Sequence, residues 1–107
     1  MKKKYIFSDI DGTLYGMNKK IDKNYSITIN KTIEIGHEII FCTGNPYFGS
    51  MKSIVKKHPN LNYMITSNGA VITNVNNNET LFSSFMDKNY VKELILIFDK
   101  YELNYSF

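Results

Sequence analysis

Apolar residues fall along this chain in short continuous runs, separated by polar breaks rich in glycine and asparagine. Between the runs they recur at helical spacing. Lys4-Tyr5-Ile6-Phe7 reads as a strand, from its β-branched and aromatic content and the glycine that soon follows. Residues 14–24 are polar, with Gly16, Asn18 and Asn24, and read as a loop. Residues 26–35 read as a helix ended by Gly36. The stretch 37–43 contains Ile39-Ile40-Phe41-Cys42, a run suited to a strand covered on both faces. Gly44-Asn45-Pro46 stops it. Pro46 suits the first turn of a helix over about 47–57, where Phe48, Met51, Ile54 and Val55 keep helical spacing. A third strand is expected over 62–66. Residues 70–73 and 80–83 flank an asparagine-rich turn and read as a hairpin. The clearest helix is 87–101, with Tyr90, Val91, Leu94, Ile95, Ile97 and Phe98 largely on one side. Residues 103–107 read as the start of another strand. Strands alternating with helices predict an α/β fold: three parallel strands with helices, then a hairpin and a helix.

Composition narrows the class. A chain of 107 residues holds at most one small domain, and 43% hydrophobic with 14% aromatic residues is enough for a packed core. The net charge of +3 is carried by lysine, since arginine is absent. No basic stripe with interleaved aromatics appears, so no nucleic-acid partner is expected. The apolar run after Lys2-Lys3-Lys4 is broken by Asp9, which argues against a signal peptide, and no stretch is long enough to span a membrane. The single Cys42 gives no disulfide framework. A soluble, cytoplasmic protein is the expectation.

The chemistry concentrates at the ends of the predicted strands. Asp9 and Asp11 stand two residues apart where the first strand runs out, and strand alternation would point them to one side. Ligands of open α/β sheets bind at that end. Two carboxylates there suit a hard cation such as Mg²⁺, or a nucleophile paired with a general acid/base. A plain polar turn is the competing reading. Thr43-Gly44 after the second strand reads either as a phosphate cradle, with a hydroxyl and a close backbone approach, or as an ordinary helix cap. Asn68-Gly69 after the third strand reads as a site rim or as a turn with positive φ. His37 and His58 lack metal-ligand spacing and read as structural or exposed. Cys42 reads as an inert core residue.

Taken together, Asp9-Ile10-Asp11-Gly12-Thr13-Leu14, Thr43-Gly44-Asn45-Pro46 and Ser67-Asn68-Gly69-Ala70 resemble the signatures of the haloacid dehalogenase superfamily, in its Cof-type branch. The resemblance implies a Rossmann-like parallel core followed by an α+β cap, and Mg²⁺-dependent hydrolysis of a small phosphorylated metabolite such as a sugar phosphate. It implies Asp9 as nucleophile and Asp11 as acid/base, both at the metal. Thr13 would help hold the loop. Ile10, Asp11 and Gly12, with Thr43 and Gly44, would meet the phosphate, and Asn45 and Asn68 the substrate. Many members of the branch carry arginine where this chain has Asn45. The family's later lysine and acidic signatures are not found after Asn68. The chain is therefore expected to be the amino-terminal portion of a longer phosphatase, with 1–69 belonging to the core and 70–107 beginning the cap. A non-catalytic fragment that binds phosphate or a partner chain is the rival expectation. Self-association through an exposed sheet edge is expected as well.

Overall fold

A computed structural model describes residues 1–106. Five strands form one mixed sheet in the order β1-β2-β3-β4-β5. They are β1 (Tyr5–Asp9), β2 (Glu38–Cys42), β3 (Tyr63–Thr66), β4 (Val71–Asn74) and β5 (Glu79–Ser83). The first three are parallel, and β4 and β5 add to β3 as an antiparallel hairpin. The expected α/β class and the three parallel strands are observed, and the hairpin continues the same sheet.

Among the three parallel strands β2 lies in the middle, between β1 and β3, and its composition suits the place. Ile39, Ile40 and Phe41 are all buried, as a strand covered on both faces requires. Phe41 packs with Ile10, Leu61 and Met64 in a core that also takes Ile29 from α1 (Lys23–Glu34) and Met51 and Ile54 from α2 (Ser50–Lys57). By contrast, β1 lies at an edge, with Tyr5 and Phe7 about 60% exposed at 59% and 60%. Its start is tied down where Lys3 pairs with the buried Glu38 at 3.0 Å and Asn62 donates to the same carboxylate at 2.8 Å.

Three boundaries differ from the sequence expectation. The first helix begins at Lys23 rather than 26, because the Asp22 carboxylate accepts the Asn24 amide at 2.7 Å and caps it there. The second begins at Ser50 rather than near 47. Gly49 takes a φ of +55° before it, so Pro46-Tyr47-Phe48 forms a separate turn and Phe48 stays exposed. The expected strand over 103–107 is not formed in its described part. The chain reverses at Glu102, with φ +53°, and Tyr105 folds back to donate to Asp99 at 3.1 Å; Phe107 lies outside the described residues. The third helix, α3 (Lys88–Lys100), is capped by Asp87 and buries none of its residues. Among the described residues no helix is long and apolar enough to cross a membrane.

Candidate active site

Parallel pairing brings three strand ends level. Asp9 stands opposite Cys42, and Cys42 opposite Ile65. Beyond each end lies one of the three sequence motifs. The chain past β1 is a tight turn built on the Ile10 carbonyl, which accepts the amides of Thr13, Leu14 and Tyr15 at 3.2, 3.0 and 2.9 Å. Gly12 takes a φ of +77° there, where a side chain would be strained, and donates to the Tyr15 carbonyl at 2.8 Å. Ile10 itself is fully buried and its side chain belongs to the core.

The two carboxylates are held differently. Thr13 Oγ1 donates to Asp9 Oδ2 at 2.8 Å. Asn45 Nδ2 donates to Asp11 Oδ2 at 3.0 Å and also reaches Thr43 Oγ1 at 3.3 Å. They face different hollows. Asp9 lines a shallow cavity of about 190 Å³ with Cys42, Thr43, Gly44, Ile65, Asn68 and Gly69. Asp11 and Asn45 line a larger one of about 480 Å³, with Tyr15, Lys19 and Lys57 in its wall. The strand alternation invoked for the pair stops short, because β1 ends at Asp9 and Asp11 already belongs to the turn.

The second and third motifs interlock. The Asn68 amide donates to the Thr43 carbonyl at 3.1 Å, and the Ser67 amide to the Asn45 carbonyl at 3.0 Å. A Cβ on Gly44 would stand 2.9 Å from Asn68 Oδ1, so a larger residue here would have to turn the Asn68 side chain aside. Ser67, Asn68 and Gly69 all have positive φ, at +51°, +55° and +93°. Two consecutive non-glycine residues in that region store strain that the surrounding bonds must hold.

Sequence reasoning passed over two features. Cys42 is half-buried and forms part of the wall of the Asp9 cavity. Burial, reinforced by the Asp9 charge, holds its thiol above the ordinary range. Its place opposite Asp9 follows from register, which no pattern in the sequence prints. His58 is fully buried and bonded to Tyr15 at 2.9 Å. His37 is half-buried, with Nδ1 accepting the Lys4 amide at 3.3 Å.

The donor chemistry suits a hard cation. Asp9 and Asp11 offer carboxylate oxygens, each with one oxygen already oriented by a neighbour. Among the described residues no group of three His, Cys, Asp or Glu side chains is placed to hold a metal. Mg²⁺ needs no all-protein cage; it takes one or two carboxylates and fills the rest with water and phosphate oxygens. Each carboxylate is therefore a suitable donor for such an ion, although the two line different hollows.

The chain belongs to the haloacid dehalogenase-like hydrolases, whose family model matches residues 6–107. A relative from Buchnera aphidicola subsp. Schizaphis graminum, bearing the name "Putative phosphatase", is 34% identical over 90 residues, 83% of this chain and 32% of its own length. The chain thus spans about a third of the length of the curated relatives it matches. Among solved structures it is similar to a haloacid dehalogenase-like hydrolase from B. subtilis, with a TM-score of 0.79 at 24% identity over 95% of this chain and 34% of that one. It is also similar to a sugar phosphatase of subclass IIB, with a TM-score of 0.77 at 24% identity over 94% of this chain and 38% of that one. At these identities the likeness concerns the fold.

Proposed function

We propose that these residues carry the nucleophile half of a phosphate-monoester hydrolase. The supporting observation is the Asp9 cavity. A carboxylate at a parallel strand end faces a threonine, a glycine whose Cβ position is taken and an asparagine, all around one small hollow. In this reading phosphate rests on the Thr43 hydroxyl and the nearby backbone, including Gly44, Ile10 and Gly12. Thr13 engages Asp9 Oδ2, which leaves Oδ1 as the attacking oxygen. Attack on phosphorus breaks the ester P–O bond, and Asp11 gives its proton to the departing alkoxide. Asp11 then takes a proton from water, which attacks the aspartyl phosphate, releases inorganic phosphate and restores Asp9. Asp9 and Asp11 would hold Mg²⁺, which when bound offsets the negative charge shared by carboxylate and phosphate.

The substrate class we favour is a small cytoplasmic sugar phosphate, by analogy with the fold-level neighbour of that activity. Asn45 and Asn68 stand at the rim for contact with it, and the activity belongs to the whole protein. We place the division between core and cap after residue 69, where the strained turn ends. Mass spectrometry of the complete enzyme, quenched during turnover, should find the phosphoryl group on Asp9. A phosphoryl group trapped on any other residue would sink the assignment.

One further expectation concerns the 107-residue chain by itself. The β1 edge presents unpaired backbone beside exposed Tyr5, Ile6 and Phe7. Such an edge is a template for another strand. Sedimentation velocity should show concentration-dependent association, reduced by Phe7→Lys. A strictly monomeric chain at all concentrations would contradict it.

A further inference from the structure

We propose that Tyr15 and His58 form a buried, uncharged latch that sets the shape of the turn carrying Asp11 and Gly12, which makes both of them positioning residues. The inference rests on the reading of that turn as part of the phosphate and metal site.

The turn and the latch share one residue. Through its backbone, Tyr15 is knitted into the turn: its amide donates to Ile10, its carbonyl accepts from Gly12, and it bridges Asp11. Through its side chain, Tyr15 leaves the turn for the core, where only 3% of the residue stays exposed. Its hydroxyl meets His58 Nε2 at 2.9 Å. The anchor on the other side is fixed. The His58 amide donates to Val55 at the end of α2, and its carbonyl accepts from Leu61. Its ring stands edge-on to Phe41, at 5.2 Å and 80°. The Asp11 turn is thus pinned to the far end of α2, while Asn45, just before that helix, holds the Asp11 carboxylate from the near end.

The latch works only when the imidazole is neutral. His58 Nδ1 is buried with no hydrogen-bond partner among the described residues. With the proton of the neutral ring on Nε2, that N–H donates to the tyrosine oxygen and Nδ1 is left only as an unpartnered acceptor. An imidazolium has two N–H donors, so Nδ1 would become a buried charged donor with no acceptor. The groups acting on the ring are consistent with this. Tyr15 faces it from the turn and the Lys57 ammonium acts from α2, while Phe41 from β2 is apolar. Burial first, and Lys57 second, push the His58 pKa below the ordinary value of 6.5.

Amide hydrogen exchange read by NMR on the 107-residue chain tests the latch without substrate. Tyr15→Phe should lower the protection of the Gly12 and Tyr15 amides by about tenfold, the scale of one lost buried hydrogen bond, with the β2 amides unchanged. His58→Gln keeps a donor for the tyrosine oxygen and should largely restore protection. In the native chain the turn's protection, corrected for intrinsic exchange, should be complete above pH 6.5 and lost as pH falls below it, through the lowered folded value. His58→Gln should abolish that dependence. The latch is overturned if Tyr15→Phe leaves Gly12 within about twofold of native protection, well under the effect of a lost buried bond. Equal loss in the turn and in β2 overturns it too, since the pair would then hold the fold as a whole. The trapping experiment on Asp9 fails independently of these outcomes, so the two readings are separable.

Discussion

Asp9→Asn in the complete enzyme should abolish turnover and leave the fold intact. Asp9 ends an edge strand, is exposed, and has its carboxylate engaged by a single hydroxyl, that of Thr13. Little of the fold depends on its charge. The chemistry depends on it entirely, because an amide is not a nucleophile toward phosphorus. The expected loss in kcat is on the order of 10⁴-fold or more, the scale for removing a nucleophile that acts as part of a catalytic unit. Hydrolysis of para-nitrophenyl phosphate measures it, and thermal unfolding checks the fold. A second readout comes from Cys42. Its thiol is held up first by burial and then by the Asp9 charge. The substitution should therefore lower the thiol pKa and speed alkylation, without bringing it down to an exposed cysteine's value. Ordinary turnover in the variant would remove Asp9 from the role proposed for it.

Gly44→Val should be the most damaging change in the proposed phosphate cradle. The position of the first added carbon is already fixed at 2.9 Å from Asn68 Oδ1, before the two further methyl groups are counted. Asn68 can yield only by turning its side chain, because its backbone is held. Its amide is bonded to the Thr43 carbonyl, and its backbone already sits at φ +55°. Overpacking of this kind costs roughly 1–3 kcal/mol. Because the displaced groups are the ones around Asp9, vanadate affinity in the complete enzyme should fall along with stability. A double-mutant cycle isolates the contact. Gly44→Val should destabilise more than Gly44→Ala, and Asn68→Ala in the valine chain should recover most of that loss, with a coupling of about 0.5–3 kcal/mol. Additive effects would show that the glycine is there for another reason.

How much of this was legible in the sequence depended on whether the cause was local. The β2 core strand announced itself through consecutive Ile39, Ile40 and Phe41. The hairpin announced itself through its asparagine-rich turn, and α3 through its spacing and Asp87 cap. The motif strings placed Asp9, Thr43 and Asn68 at strand ends, which parallel register then aligned. What was not legible was set by tertiary contact. Asp22 caps α1 from a loop that closes back on itself, through pairing of Tyr15 with Ile21. A left-handed Gly49 delayed α2 where Pro46 had suggested an earlier start. His58 had no pattern to distinguish it from an exposed histidine at a helix end; only the arrival of Tyr15, 43 residues away, makes it part of the site's support. Asp11 and Asn45, which the motifs cast as proton donor and substrate contact, are also each other's partner.

The sheet does not end where the three motifs do. β3 pairs with β2 on one side and with β4 on the other, and the link between β3 and β4 is the strained triplet that presents Asn68 to Gly44. The hairpin and the second motif therefore meet at one short turn, whose Asn68 amide bonds the Thr43 carbonyl beside the Asp9 cavity. A shift of the outer strands would act first on that bond.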